Sequence, residues 1–183
     1  MRTKVIKLAV ILGIIKLFVI QEQKNNMKIV LLAIGKLDED YYVQATNVYV
    51  NRLKHYIPFE VEIIPDIKNV KNLSEKEQKI LEGNSILKTL QSTDHVVLLD
   101  DKGKQHSSVE FAHFLEKKMV SVPKRLVFIV GGPYGFSDEV YQRANEKLSL
   151  SRMTFTHQMV RLVFVEQLYR GMTILNNEPY HHQ

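Results

Sequence analysis

Four hydroxyls crowd into the stretch SLSRMTFTH (149–157): Ser149, Ser151, Thr154 and Thr156, with Arg152 among them and His157 at its end. Capping a following helix needs one hydroxyl, and Thr154 or Thr156 is placed to supply it. Four point to a polar loop shaped around something. A second candidate is GGPYGFS (131–137), where Gly131 and Gly132 follow an apolar run and precede a helix start. Glycines there allow positive φ and let a ligand approach the backbone N–H groups closely. A tight turn with no ligand needs the same residues. The loop is neither GxGxxG nor GxxxxGK[ST], so neither a dinucleotide nor a triphosphate is implied.

Two further stretches carry usable chemistry. LLDDKGKQHSS (98–108) ends an apolar run with Asp100 and Asp101. Adjacent carboxylates on an extended chain point opposite ways and make a poor metal pair, so a strand-end turn is the better account, with Leu99 free to touch a flat ligand. The chain closes on Tyr180, His181, His182 and Gln183. A phenol and two imidazoles either fray there or fold back onto something that needs them. His55, His95, His106 and His113 are scattered, so no metal site is expected, and there is no nucleophile elbow. Cysteine is absent, which removes disulfides and thiolate sites.

The elements that position these loops can be read from periodicity. KIVLLAIGK (28–36), HVVLLD (95–100) and RLVFIVGG (125–132) are short, nearly continuous apolar runs, as expected of strands buried on both faces. FEVEIIP (59–65) alternates at period two, and KLSLS (147–151) reads as a fifth, short strand. Between them lie helical patterns: one entered at Asp38 or Asp40, one from the capping box Ser74/Glu77 to about Gln91, and one from the capping box Ser107/Glu110 to about Met119. A short helix runs from Ser137 through Ala144, and a last one from Met159 to about Ile174. That last helix is apolar almost all round, so it belongs in the core or in a subunit interface. Arg161 and Arg170 on it either pair with Glu166 or meet an external anion. Strands alternating with helices predict a single α/β domain with a mostly parallel sheet, and direct attention to the loops after Asp100, Val130 and Ser149.

Charge narrows the partners. Of the formal net charge of +5, residues 1–26 supply a surplus of four and leave 27–183 one charge above neutrality. RNA affinity must therefore come from a local cluster. LAVILGIIKLFVI (8–20) is interrupted by Lys16 and is too short for a comfortable membrane span. It resembles the front of a signal peptide, yet QEQKNN follows in place of a small-x-small cleavage site, and Met27 offers a second start. Residues 1–26 are expected to be an extension outside the fold, with the working domain at 27–183 and no membrane partner.

In order and spacing, LLDDKGKQHSSVEFA, FIVGGPYGFS, LSLSRMTFTHQMVRLVFVEQLYRGMTI and the terminal PYHH resemble the RlmH family, SPOUT-class methyltransferases of large-subunit ribosomal RNA. The resemblance covers essentially Met27 to Gln183. It implies an α/β sheet whose C-terminal part is threaded into a trefoil knot, a rare exception to un-knotted topology. It implies a cytoplasmic homodimer that transfers a methyl group from S-adenosylmethionine to N3 of a pseudouridine in 23S rRNA on the assembled ribosome.

Carried over by position, Leu99, Gly131, Gly132 and the segment Ser151, Arg152, Met153, Thr154, Phe155 and Thr156 match the family's cofactor contacts. Arg170, Tyr180, His181 and His182 are implied in substrate positioning and proton handling, with His157 a further candidate. Two positions depart from the family: His182 stands where many relatives have arginine, and Thr156 where they have proline. A SPOUT enzyme acting on tRNA, or a non-catalytic ribosome-binding factor of the same fold, are the competing readings.

Overall fold

The computed structural model describes residues 27–67 and 73–181; the extension 1–26 and His182 lie outside the described residues. Five strands form one sheet: β1 (Lys28–Ile34), β2 (Phe59–Ile64), β3 (His95–Gln105), β4 (Arg125–Val130) and β5 (Glu146–Ser149). Their order is β2-β1-β4-β3-β5, and every pairing is parallel. The connecting helices are α1 (Asp40–Leu53), α2 (Glu75–Thr89), α3 (Ser108–Ser121), α4 (Asp138–Arg143) and α5 (His157–Leu175).

The continuous apolar runs have the cause that their composition suggests. Ile29, Leu31 and Ala33 of β1 face one core with Phe128 of β4, under residues of α1, α3 and α5. Val30, Leu32 and Ile34 face a second core with Val127 and Ile129, under α2 and α4. A strand sandwiched in this way has no solvent side on which to place polar residues. In the first core the Phe128 and Phe164 rings meet at a tilt of 48° with centroids 4.7 Å apart, and Phe111 approaches both edge-on.

Both expected capping boxes form. Ser74 and Ser107 each accept from the backbone N–H three residues on, and Glu77 and Glu110 return the bond to the cap N–H. Thr156 caps α5 by accepting from Met159 N–H. The entry to α1 differs from expectation. Glu39 occupies the N-cap without a side-chain bond, and Asp40 is already helical. The N–H of Asp38 is instead taken by the Gln158 side chain of α5, so a tertiary contact sets this helix start.

β3 runs past its expected end. Its pairing with β5 jumps from Leu99↔Leu148 to Lys104↔Leu148, and the bulge between them lifts residues 100–103 out of register. Gly103 makes this possible: a Cβ there would meet the Leu148 backbone at 2.5 Å. The chain therefore passes tightly over the end of β5, where no side chain fits.

Arg161 is the largest of the fully buried side chains, at 1% exposure. It neither pairs with Glu166 nor waits for an anion. Nη1 donates to Gly35 O at 2.7 Å and Nη2 to Ile34 O at 2.5 Å, so the guanidinium binds the carbonyls at the carboxyl end of β1. Arg161→Met leaves two buried acceptors without a donor. It is expected to lower unfolding stability by about 3 kcal/mol, measured by urea denaturation with an unchanged slope.

Candidate active site

The sheet order reverses around β4 and β3, and a ligand crevice is expected outside the carboxyl ends of strands at such a switch. A cavity of about 820 Å³ lies there. Its floor is Leu99 of β3, Val130 of β4 and Leu148 of β5. One wall is the glycine loop 131–136, another is Ser149 to His157, and the N-terminal end of α1 contributes Glu39, Tyr41 and Tyr42. The volume suits a cofactor-sized molecule. At the rim Tyr134 and Phe155 are exposed, and Met153 is 76% exposed.

Leu99, Gly131, Gly132, Ser151, Met153, Thr154, Phe155, Thr156 and His157 all line this one cavity. Arg152 lies within the same loop, exposed, but is not a lining residue. The hydroxyls divide their work. Ser149 donates to Ser151 O at 2.8 Å, Ser151 Oγ accepts from Met153 N–H at 2.9 Å, and Thr156 caps α5. The loop is thus wound on its own hydroxyls.

The glycines of the loop do different work. Among its members only Gly135 has positive φ, at 78°. The space a Cβ on Gly132 would need is filled from behind by the carboxyl of Glu82. Absence of a side chain at Gly132 therefore serves close packing against α2.

Tail and cavity are apart within one chain. Tyr180 O–H donates to Glu166 Oε1 at 3.1 Å, and its ring lies edge-on to Tyr169 and under the Arg170 guanidinium, 4.8 Å from each. Arg170 Nη2 donates to the same Glu166 oxygen at 2.5 Å. Glu166 lies nine residues beyond His157, or roughly 14 Å along the helix axis. Burial, with the Glu166 carboxylate and Tyr49 beside it, pushes the Tyr180 phenol well above its ordinary range, so in this docked position it is a donor. His181 Nδ1 is closed off from solvent without a partner.

One polar pair in the cavity carries no signal in the residue spacing. Tyr141 of α4 donates to Asp100 Oδ2 at 2.5 Å, and Lys102 N–H donates to Oδ1 at 2.8 Å. Both Asp100 and Tyr141 are lining residues. Burial alone raises the Asp100 carboxyl, but these two donors, with Asp101 and Lys147 nearby, outweigh it and hold the group below its usual value. Its contribution to stability is therefore complete above the ordinary aspartate pKa and is lost as pH falls through the lower folded one. In Tyr141→Phe the Asp100 carboxyl is expected to titrate at higher pH, as followed by carboxyl-carbon NMR. An unchanged titration would show that the phenol contributes nothing.

Among the described residues no group of three or more His, Asp or Glu could hold a metal ion, and no helix is long and apolar enough to cross a membrane. Residues 27–181 match the sequence family described as predicted SPOUT methyltransferase. A protein of Parabacteroides distasonis named ribosomal RNA large subunit methyltransferase H is 68% identical over 157 residues, covering 86% of this chain and all of that one. Proteins of the same name from Phocaeicola vulgatus and Bacteroides fragilis are 60% and 57% identical over the same span. A match of this extent, with both family-type loops lining one cavity at the carboxyl ends of a parallel sheet, means that the chain belongs to the SPOUT methyltransferase family.

Proposed function

We propose that this chain transfers a methyl group from S-adenosylmethionine to N3 of a pseudouridine in 23S rRNA, as a cytoplasmic homodimer acting on the assembled ribosome. The observation that carries the reading is the convergence of the glycine loop and the segment 149–157 on one cavity, in a chain whose relatives bear a ribosomal RNA methyltransferase name. A non-catalytic ribosome-binding factor has no use for such a cavity. The catalytic domain in this reading is 27–183, supported by a family match that spans 27–181.

The residues present fit the cofactor by chemistry. Leu99, Val130 and Leu148 offer an apolar floor for a flat base, and the loops around Gly131–Gly132 and Ser151–Thr156 offer main-chain polar groups. When bound, the cofactor supplies an already activated sulfonium methyl, so the protein's task is mainly alignment of donor and acceptor. Leu99, Gly131, Gly132, Ser151, Met153, Thr154, Phe155 and Thr156 would hold it, with Arg152 in the same loop. The acceptor nitrogen carries a proton at neutral pH. His157, on the cavity wall, and the tail residues Tyr180, His181 and His182 are the candidates to handle it, with Arg170 to steady the charge left on the uracil ring.

The tail's docking near Glu166, roughly 14 Å along α5 from His157, argues that it serves the cavity of a second copy. Homodimer formation is supported by apolar side chains left exposed on α1, namely Tyr41, Val43 and Val48, and by Met159 on the neighbouring α5. The trefoil knot is implied by the family, and the tight pass of Gly103 over Leu148 suits such threading.

Titration calorimetry with S-adenosylmethionine is expected to give saturable binding; no heat would defeat the enzymatic reading. Mass spectrometry of 23S rRNA from a strain lacking the gene is expected to show loss of the methylated pseudouridine. Its persistence would overturn the target assignment. Removing His181 to Gln183 should leave folding and cofactor affinity intact but cut methyl transfer at least roughly ten-fold, the scale of a lost proton-transfer or positioning group. Unchanged turnover would mean that the tail has no part in the reaction.

A further inference from the structure

Behind the glycine loop, on the sheet face opposite α5, lies a carboxyl that the reaction does not use. Glu82 of α2 is only 3% exposed. Its Oε1 accepts from Gln78 Nε2 at 2.8 Å, whereas Oε2 is sealed from solvent with no partner. A Cβ built on Gly132 would fall inside this carboxyl, nearest to Oε2, so the oxygen rests against the α-carbon of Gly132. The next residue of the helix repeats the arrangement. Gly83 has no room for a Cβ because the hydroxyl of Ser137, itself buried, occupies that space. Two consecutive residues of α2 therefore form a seat for the two ends of the loop 132–137. Gly132 is a wall of the cavity, while Glu82 does not reach it.

A buried oxygen without a partner is costly, and an apolar side chain of similar size would bind α2 to the sheet more firmly. A costly group wedged between a helix and a ligand-binding loop points to a positional role. We propose that Glu82 is a positioning residue for the cofactor: its carboxyl, oriented by Gln78, is the stop against which Gly132 rests, and it sets cofactor affinity by holding the loop backbone at the cavity wall. This rests on S-adenosylmethionine being the ligand of the cavity. A planar carboxyl is thin enough to lie beneath a glycine α-carbon, and a methyl-bearing side chain is thicker. Burial raises the carboxyl's pKa against the opposing Gln78 amide, and the Asp66 charge adds to the rise. Glutamine keeps the shape and planarity of the group.

The test uses the full-length protein as wild type, E82Q, E82A, E82M, G132A and the double variant E82A/G132A. S-adenosylmethionine affinity is measured by calorimetry, folding by thermal unfolding, and KM and kcat by methyl transfer to ribosomal particles. E82Q should bind within about three-fold of wild type, while E82A and E82M should each bind roughly ten-fold more weakly, as loop displacement predicts. The loss should appear in KM for S-adenosylmethionine, with kcat at saturation unchanged.

G132A alone should also bind poorly, because its methyl group meets the Glu82 carboxyl. Removing that carboxyl in E82A/G132A should restore roughly three-fold or more of the loss, an interaction that independent sites do not produce. A purely structural role for Glu82 predicts lower melting temperatures with wild-type affinity in the folded protein. That result, or a double variant no better than the product of its singles, overturns the proposal. E82M serves as the criterion if E82A does not fold. Failure of the wild type itself to bind S-adenosylmethionine overturns the cofactor reading, a separate outcome from unchanged binding in the Glu82 variants.

Discussion

The cavity depends on one buried cation. The guanidinium of Arg161 reaches from the second turn of α5 to the carbonyls of Ile34 and Gly35, where β1 ends. Gln158, one turn earlier, holds the N–H of Asp38 in the following loop. Together they fix α5 to the exit of β1, and so fix the wall formed by Glu39, Tyr41 and Tyr42 against the wall formed by Ser149–His157. Burial opposes the charge, and Asp66 and Asp38 nearby offset part of that cost. The carbonyls supply the rest, because strand-end acceptors that would otherwise face water or nothing receive a charged donor.

The two ends of the sheet are built on different principles. At the amino ends of the strands, ion pairs dominate: Lys118 with Glu146, Arg125 with Glu62 and Asp94, and Lys28 with Glu60, while His95 hydrogen-bonds Glu146. Burial raises the Glu146 carboxyl, but the Lys118 and His95 neighbours overcome it and hold the group low. At the carboxyl ends, the cavity is walled mainly by glycines, hydroxyls used for winding, and aromatic rings, with the Asp100 carboxyl held by Tyr141 and the Lys102 N–H. Backbone groups and rings there are ready for a ligand. The helix α5 spans both roles, with its first turns on the cavity and its last turns under the tail.

Most of the fold is legible in the sequence because each element carries its own local signal. Both capping boxes and the two-sided burial of β1, β3 and β4 follow from residue type and spacing alone, and the cap of α5 is narrowed by them to Thr154 or Thr156. What is not legible is set by contacts distant in sequence. The start of α1 is decided by Gln158, about 120 positions away, and the length of β3 by whether Gly103 can pass Leu148. Arg161 stands five residues before Glu166 on its helix, and only the packing against β1 reveals that its partners are carbonyls. The site divides in the same way. The loops lining the cavity are visible as composition, but Asp100 and Tyr141 meet only because β3 and α4 come together, and 41 residues separate them.

Gly132 shows why a glycine's function must be read from both its sides. From the sequence, a glycine pair after a buried strand suggests room left for a ligand in front. The structure places the missing Cβ behind, where Glu82 fills its volume. These accounts are compatible, because a backbone pressed from behind by a fixed, nearly incompressible neighbour is a backbone held steady in front. Loops bind ligands well only when something rigid limits their retreat. Here that limit comes from the far side of the sheet, from a helix that never touches the cavity. The geometry of the cavity is thus a property of both faces of the sheet, although the cavity lies at its end.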